Sequence, residues 1–330
     1  MQVASIATSY PWSRWVATSI ATHASPGRPV DYHVIYDGPK TWAARRLDGW
    51  RCGGVTLHLP RRSNAWARYG RVSGVPPLTL VRISLPDVLN DIRRVIYLDA
   101  DVVVMADLGE LFDAPLDGQP LGAVRDRYVA EQALRVRPRP PGSSEPSMRE
   151  YLAAVAGLTS ESEIVDYRQA GVLLMDLPAL RSTQFAARVE AVIEQHGKVL
   201  RYADQCAINI AMKGSIAELD PRWNVFPSVL SAASVAGALP AFRRYAELQA
   251  EAPRMLHFAG RKPWDRRDTP GGDQRWSYAR LTGLGPYFAL RQLGARLAYG
   301  RTRLGAYLPA LRRAPLKTTL QVLQRRLARR

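Results

Sequence analysis

Hydrophobic and polar positions in the first hundred residues follow two periods, one typical of strands and one typical of helices. Short apolar runs predict strands at residues 3–8, 30–36, 55–59 and 95–98. Apolar side chains three and four residues apart predict helices at residues 12–24, 41–47 and 78–89. The run at 95–98 is continuous, which is typical of a strand that is covered on both faces. Strands that alternate with helices in this way indicate a mostly parallel α/β sheet.

The pattern after residue 130 is less regular. We expect a strand at residues 172–177, helices at 184–195 and 203–212, and a proline-rich loop at 135–145. The longest uncharged stretch, residues 223–241, contains two prolines, three serines and Asn224, so it lacks the composition of a membrane-spanning helix. No segment is repeated. The 330 residues suffice for one large α/β domain or for two smaller domains.

Composition excludes several classes of protein, and charge distinguishes one end of the chain. With 47% hydrophobic and 23% charged residues, the chain is neither disordered, collagen-like nor a coiled coil. The net charge is +17, and residues 291–330 supply +11 of it because they contain eleven basic residues and no acid. The other residues carry only +6. A basic tail of this kind predicts an anionic partner.

The basic tail also has the pattern of an amphipathic helix. Pro315 suits the first turn of a helix, after which four leucines fall on one helical face. These are Leu316, Leu320, Leu323 and Leu327. Helices of this kind lie in the plane of a membrane with their bases on anionic headgroups. We therefore expect residues 286–330 to hold the protein at an anionic membrane surface; the alternatives are packing on the body of the protein and a disordered basic end.

Cysteine usage and the N-terminus predict the compartment. Two cysteines, Cys52 and Cys206, are too few for a disulfide framework. The first residues show no basic region followed by an apolar run, so we expect no signal peptide. The expected location is cytoplasmic, with peripheral attachment to the inner face of the cell membrane. Nucleic-acid binding is not expected, because no basic strand with interleaved aromatic residues accompanies the charge.

The most specific candidate for chemistry is a pair of carboxylates that follows the apolar run at 95–98. Asp99 and Asp101 are two residues apart, and side chains at this spacing share a face on an extended segment. Together they could bind Mn²⁺ or Mg²⁺, with a diphosphate completing the coordination. One alternative is a pair of solvated acids. Another is a haloacid-dehalogenase-type phosphatase with Asp99 as nucleophile, although the later acidic pair that such an enzyme needs is not found.

A second candidate lies at residues 257–264, which read HFAGRKPW. His257 offers a nitrogen ligand to the same cation, and mixed nitrogen and oxygen ligands favour Mn²⁺ over Mg²⁺. Gly260 would let the backbone approach a phosphate closely, and Lys262 would supply a positive charge to it. The ordinary alternative for a single histidine is a packed or surface residue.

Together with other blocks, these residues resemble the retaining glycosyltransferases of family eight, which include glycogenin and bacterial lipooligosaccharide galactosyltransferases. The resemblance runs from about residue 3 to 265 with the blocks in the family's order. The blocks are TLVRI at 79–83, DAD at 99–101, DLGELF at 107–112, GAVRD at 122–126, AGVLLMDL at 170–177, DQ at 204–205, DPRWN at 220–224 and HFAGRKPW at 257–264. Each block is short, and their order and spacing carry the resemblance.

The resemblance implies a GT-A fold within residues 1–285. A Rossmann-like nucleotide-sugar-binding half with a mixed central sheet would span about residues 1–125, and an acceptor half about 126–265. The implied reaction transfers a hexose, glucose or galactose, from a UDP-sugar to a cell-envelope glycan or glycolipid with retention of configuration. Asp99, Asp101 and His257 would hold Mn²⁺, with Mg²⁺ as the second option. The residues around the donor would be Ala7, Tyr10, Arg82, Asp99, Ala100, Asp126, Gln169, Ala170, Gly171, Gly260 and Lys262.

Asp204 and Gln205 are the catalytic pair that the resemblance implies. A neutral amide is a poor nucleophile, so we expect the carbonyl dipole of Gln205 to support a positively charged sugar instead of forming a covalent intermediate. Asp204 could bond sugar hydroxyls. The alternative is that both residues merely cap the helix predicted at 203–212.

The chain departs from the family pattern at three places. The first strand runs into Ala7 and Tyr10 without the usual acid between them, although Tyr10 could still stack on a uracil ring. Gln169 stands where the family usually has the shorter asparagine. The spacing from Gly260 to Lys262 is one residue shorter than usual. A non-catalytic binding protein with a transferase-like fold is therefore a third hypothesis, beside the transferase and the phosphatase.

Overall fold

The computed structural model describes residues 1–7, 10–36, 48–59, 72, 77–135 and 145–259. Several predictions fall on other parts of the chain. These are the helix at 41–47, most of the loop at 135–145, Gly260, Lys262 and the basic tail, all of which lie outside the described residues.

Ten strands form two sheets within the described residues. They are β1 Gln2–Ala7, β2 Val30–Tyr36, β3 Arg51–Cys52, β4 Val55–His58, β5 Arg94–Leu98, β6 Val102–Val104, β7 Leu121–Arg125, β8 Arg168–Asp176, β9 Ile216–Glu218 and β10 Met255–His257. The central sheet has the order β3-β4-β2-β1-β5-β8-β7-β9, and β6 pairs with β10 in a separate small sheet. The strands predicted at 3–8, 30–36, 55–59, 95–98 and 172–177 are confirmed within a few residues.

The central sheet is mixed. Strands β4, β2, β1 and β5 run parallel, whereas β8 runs antiparallel to both of its neighbours, β5 and β7. Strands β7 and β9 run in the same direction as β5, so six of the eight strands are parallel and the expectation of a mostly parallel sheet is confirmed. The reversed strands β3 and β8 make the sheet mixed, as the family resemblance implied. The reversal of β8 follows from the path of the chain. It leaves β7 at Arg125 and re-enters the sheet at the same end, where Arg125 pairs with Arg168 at the start of β8.

Helices cover both faces of the sheet and connect its strands. The α-helices are α1 Tyr10–His23, α2 Leu85–Val88, α3 Gly109–Phe112, α4 Arg127–Leu134, α5 Met148–Ala156, α6 Glu161–Val165, α7 Leu177–Ser182, α8 Phe185–His196, α9 Ala203–Ala211, α10 Ala232–Ala236 and α11 Arg243–Glu251. Short 3-10 helices span Pro77–Ser84, Pro221–Trp223, Pro227–Leu230 and Pro240–Phe242. In the described part of the chain, no helix has the length and apolar character needed to cross a membrane.

Two helix predictions have different outcomes. The helix expected at 12–24 is α1, and its predicted inner face is buried, with Trp15, Val16 and Ile20 at most 2% exposed. The helix expected at 78–89 is instead a 3-10 helix followed by the short α2. Pro86 explains the break, because a proline inside a continuous α-helix lacks its N–H and clashes with the carbonyl four residues earlier.

Candidate functional site

Asp99 and Asp101 lie on the turn where the chain passes from the central sheet into the small sheet. The Asp99 amide donates to the carbonyl of Gly171 on β8 at 2.8 Å, and the Asp101 carbonyl accepts from the Phe258 amide at 3.0 Å. The expectation that both acids extend a single strand is wrong, because β5 ends at Leu98 and β6 belongs to another sheet. The turn still brings both carboxylates to the same side.

His257 completes a cluster with the two acids. Strand β10 pairs antiparallel with β6 and sets His257 opposite Val102, directly beside the turn. The His257 Nε2 atom lies 3.3 Å from Asp101 Oδ1 and 3.6 Å from Asp99 Oδ2. One ligand atom from each residue falls within 4.8 Å of the others, and the His257 side chain is only 2% exposed. The sequence prediction that these three residues come together is therefore correct in its geometry.

Gly171 makes room for this cluster. A Cβ atom at position 171 would lie 2.3 Å from His257 Cε1 and 2.8 Å from Asp99 Oδ2, distances that no real side chain tolerates. The absence of a side chain on β8 thus allows the imidazole and the carboxylates to approach one another. Two carboxylate oxygens and one imidazole nitrogen in such a space suit a divalent cation such as Mn²⁺.

Arg82 joins the cluster to the start of α9. It lies on the 3-10 helix Pro77–Ser84, its Nη2 is 3.0 Å from Asp99 Oδ1, and its Nε is 2.7 Å from Asp204 Oδ2. Its guanidinium also donates to the carbonyl of Ala170 and lies over the ring of Tyr97. Burial alone lowers the pKa of Arg82, but Asp204 and Asp99 outweigh this effect and leave its pKa raised.

Gln205 is held in one orientation by two neighbours. Its Nε2 donates to Asp126 Oδ2 at 2.9 Å, and its Oε1 accepts from the Ala170 amide at 3.2 Å. Asp126 in turn accepts from the Val129 amide at the start of α4. Asp126, Asp204 and Gln205 are all buried. Asp204 and Gln205 contact groups outside α9, namely Arg82, Asp126 and the Ala170 amide, in addition to any role in capping that helix.

Burial raises the pKa of two acids of this region, Asp204 and Asp126. Burial raises the pKa of Asp204 to about 6, against the opposing effect of the Arg82 guanidinium, and the Asp99 carboxylate adds to the rise. Burial likewise raises the pKa of Asp126, although backbone and Gln205 hydrogen bonds counteract it. A site with buried acids of shifted pKa is typical of catalytic centres.

The remaining residues of the sequence prediction lie along the same edge of the sheet or outside the described chain. Ala7 ends β1 and Tyr10 begins α1, and β1 is the neighbour of β5. Ala100 lies in the turn between the two acids, and Ala170 is buried on β8. Gln169 is also buried on β8, with its Oε1 accepting from the Gly171 amide.

Four residues that the sequence analysis gave no role are also part of the site. Tyr97 donates its hydroxyl to Asp99 Oδ1 at 2.7 Å, and Asn224 contacts both His257 and Gln169. Tyr128 and Tyr202 lie at the starts of α4 and α9, beside Asp126 and Gln205. Tyr97 is two residues before Asp99, and side chains at this spacing in a strand share a face, so the spacing indicates the contact between Tyr97 and Asp99. Asn224 is the last residue of the DPRWN block at 220–224, whereas no local pattern distinguishes the two tyrosines.

The sequence matches the model of a known protein family. The model described as "Glycosyl transferase family 8" matches residues 69–268. General stress protein A of Bacillus subtilis (strain 168) is 25% identical over 272 residues, which cover 80% of this chain and 87% of that protein. Lipopolysaccharide 1,2-glucosyltransferase of Escherichia coli (strain K12) is 25% identical over 174 residues, covering 52% of this chain and 44% of that protein.

Solved structures show the same fold. The galactosyltransferase LgtC, in complex with donor and acceptor sugar analogs, superimposes with a TM-score of 0.67 at 25% identity, covering 84% of this chain and 95% of that one. The apo bifunctional glycosyltransferase WbbM gives a TM-score of 0.75 at 22% identity. That match covers 88% of this chain and 51% of the WbbM chain, so this chain spans about half of WbbM.

Proposed function

Because the chain belongs to glycosyltransferase family 8 and has the GT-A-type fold of its structural neighbours, we propose that it transfers a hexose from a UDP-sugar with retention of configuration. The proposed reaction needs a divalent metal ion. The observation that carries the proposal is the convergence of Asp99, Asp101 and His257 beside Gln205. A cation-binding cluster and a buried polar centre thus lie at one edge of the sheet.

Asp99, Asp101 and His257 are the residues that would hold the ion. A bound divalent cation supplies positive charge to the diphosphate that leaves the sugar. Tyr97 and Arg82 bind one oxygen of Asp99 and leave the other facing His257. We assign Gly260 and Lys262, which lie outside the described residues, to the same diphosphate.

Gln205 and its neighbours form the proposed reaction centre. Loss of the diphosphate leaves positive charge on the sugar, as in glycoside hydrolysis. The Oε1 atom of Gln205 carries the negative end of a dipole whose direction Asp126 and the Ala170 amide hold. Preorganised dipoles of this kind stabilise developing charge without reorganisation cost. LgtC has also been solved as an active-site mutant in which a glutamine is replaced by glutamate, which supports a glutamine role in that protein.

Two tyrosines beside this centre are the proposed contact for the acceptor. Tyr128 is 55% exposed, and Tyr202 immediately precedes the helix that carries Gln205. Aromatic rings with a hydroxyl combine an apolar face with a polar edge, which suits a sugar ring. The lipopolysaccharide glucosyltransferase among the relatives supports a cell-envelope glycan or glycolipid as acceptor. With the basic tail at an anionic membrane surface, the enzyme would act from the cytoplasmic face.

A donor screen tests the proposal. UDP-glucose, UDP-galactose, UDP-N-acetylglucosamine and UDP-N-acetylgalactosamine are each incubated with the protein and Mn²⁺, and released UDP is measured. One of the hexoses should give UDP release that stops in EDTA. Release of phosphate from sugar phosphates without UDP release would favour the phosphatase hypothesis. Binding of UDP-sugar with no turnover for any donor or acceptor would favour the non-catalytic one.

A further inference from the structure

We propose that Gln169 and Asn224 form a relay that sets the tautomer of His257 and thereby aims its Nε2 lone pair at the metal cluster. The proposal rests on the metal site proposed above. It concerns positioning residues, because Asn224 contacts His257 at Nδ1, the ring nitrogen that does not face the two acids, and Gln169 acts through Asn224. The argument begins at a backbone amide and proceeds by one hydrogen bond at a time.

The Gly171 amide fixes the orientation of Gln169. A backbone N–H can only donate, and it lies against the Oε1 of Gln169 at 2.5 Å. The same Oε1 lies 2.6 Å from Nδ2 of Asn224. Because this oxygen can only accept, the atom of Asn224 that faces it must be the donating NH₂. One backbone donor therefore fixes the direction of two side-chain amides.

The direction of the Asn224 amide fixes the tautomer of His257. With its Nδ2 turned to Gln169, Asn224 presents Oδ1 to His257 Nδ1 at 2.9 Å. An oxygen acceptor requires the proton on Nδ1, so the neutral ring has its lone pair on Nε2. Nε2 is the atom that faces Asp99 and Asp101. In metal sites, the partner of the second ring nitrogen orients the ligand in this way.

Several contacts hold the relay rigid. Asn224 and Gln169 are 4% and 8% exposed, so water does not compete for their amides. Gln249 on α11 donates to the carbonyl of Pro221 at 3.2 Å and steadies the turn that carries Asn224. The His257 amide donates to the Val225 carbonyl at 2.9 Å. Backbone and ring of the histidine are thus anchored by adjacent residues.

The relay also accounts for the glutamine at position 169. Its Oε1 accepts from Gly171 and from Asn224 at once, which requires a side chain that reaches forward along β8 to residue 171 and across to Asn224. An asparagine at this position is one methylene shorter. We therefore expect Gln169→Asn to lose the contact with Asn224 while Gly171 keeps its place.

The test measures the tautomer of His257 and the affinity for Mn²⁺ separately. Metal-free protein labelled with ¹⁵N in histidine is examined by NMR at pH 8.5, with the His257 signals assigned by loss in His257→Ala. The wild type should carry its proton on Nδ1, and so should Asn224→Asp, whose carboxylate also accepts from Nδ1. In Asn224→Leu, which fills the same space without an acceptor, the Nδ1–H form should no longer dominate.

Titration with Mn²⁺ alone, followed by electron paramagnetic resonance of the free ion, gives the second readout. Asn224→Leu should weaken Mn²⁺ binding about tenfold or more, because loss of a hydrogen-bond partner of a metal-binding histidine typically costs this much affinity. Asn224→Asp should bind Mn²⁺ more tightly than Asn224→Leu. Asn209→Leu is the matched control, since Asn209 is a buried amide that bonds Arg168 and Gln205 instead. It should keep the tautomer and the Mn²⁺ affinity of the wild type.

The two readouts separate the relay from the metal site. An Nε2–H ring in the wild type, or wild-type tautomer and affinity in Asn224→Leu, would overturn the relay. If the wild type binds no Mn²⁺, the metal proposal fails, and the NMR result still decides the relay. Should Asn224→Leu not fold, Gln169→Leu takes its place, because it removes the acceptor that orients Asn224. A wild-type tautomer in that variant would equally overturn the relay.

Discussion

Three charged side chains of the site, Arg82, Asp126 and Asp204, are buried, whereas Asp99 and Asp101 are partly exposed. Among the described residues, Arg82 pairs with both Asp99 and Asp204, while Asp126 accepts hydrogen bonds from the Val129 amide and the Gln205 side chain. Removing one partner from such a set leaves an uncompensated buried charge, which is among the costliest substitutions in a protein. Burial of these charged groups lowers the stability of the folded protein, which is consistent with a site whose charges serve chemistry.

The raised pKa of the buried Asp204 makes the stability of the protein depend on pH. Its pKa of about 6 lies above the usual 3.8, so between pH 4 and 6 the folded protein holds a proton that the unfolded chain has released. Stability therefore falls as pH rises through this window. Chemical denaturation of the metal-free protein should show a loss of unfolding free energy from pH 4 to 6 that is smaller in Asp204→Asn. Parallel pH profiles for the two proteins would contradict the shift.

Among the elements, β8 contributes most to the site. Its first eight positions are buried, and its backbone binds the Asp99 amide, the Arg82 guanidinium and the Gln205 side chain. Because β8 runs against β5, its first half lies beside the carboxyl end of β5, where the acids begin. The antiparallel entry of this one strand thus builds the site.

Substitution at Gly171 tests the role of β8. A methyl group there would collide with His257 and Asp99, so Gly171→Ala should weaken Mn²⁺ binding by at least tenfold and destabilise the fold by about 1–3 kcal/mol. Gly122→Ala is the control, since its methyl group would meet Leu116 and Leu219 in the core instead. It should lose stability without losing Mn²⁺ affinity. Unchanged Mn²⁺ binding in Gly171→Ala would mean that the cluster is not the ion site.

A prediction about acceptor binding concerns Tyr128, which lies at the start of α4. Tyr128→Ala should raise the acceptor KM several-fold with little change in the donor KM, because the exposed ring is lost while Asp126 stays in place. Tyr128→Phe, which keeps the ring, should behave nearly as the wild type. Steady-state kinetics with both substrates varied distinguishes the two. An increase in donor KM alone would assign Tyr128 to the donor side.

The sequence predicts some elements better than others, for physical reasons. Strand β5 is predictable because burial of both faces demands a continuous apolar run. The 3-10 helix at Pro77–Ser84 is not predictable from this pattern, because its apolar spacing resembles that of an α-helix. Pro86 interrupts a continuous α-helix through its ring and its missing N–H, which the hydrophobic pattern does not show. Residue chemistry suggests that the acids and His257 share a cation, but the tertiary pairing of β6 with β10, which makes them neighbours, is not encoded in any local pattern. Asn224 acquires its role from contacts with two distant segments, which no local pattern encodes.

At the scale of the whole molecule, charge is divided between body and tail. The first 290 residues carry +6 and the last forty residues +11, which favours attachment of the chain to an anionic surface through its last forty residues. Each base near such a surface contributes about 1 kcal/mol. The arrangement would keep the reaction centre close to a lipid-linked acceptor.

Sedimentation with liposomes tests the tail. The full chain should bind vesicles that contain anionic lipid, bind less in high salt, and lose binding on truncation after Gly285. A variant with Leu316, Leu320 and Leu323 replaced by serine keeps every charge and should bind more weakly, because the apolar face is lost. Equal binding to neutral vesicles, or no loss on truncation, would contradict membrane attachment by this segment.

The central claim is that Asp99, Asp101 and His257 bind a metal ion that in turn recruits a uridine diphosphate. Isothermal titration of UDP into the protein, with Mn²⁺ and with EDTA, measures this directly in the wild type, Asp101→Ala and His257→Ala. We predict UDP binding by the wild type with Mn²⁺, and at least tenfold weaker binding in EDTA and in both variants although they remain folded. Equal UDP affinity in EDTA, or wild-type affinity in either variant, would contradict the account.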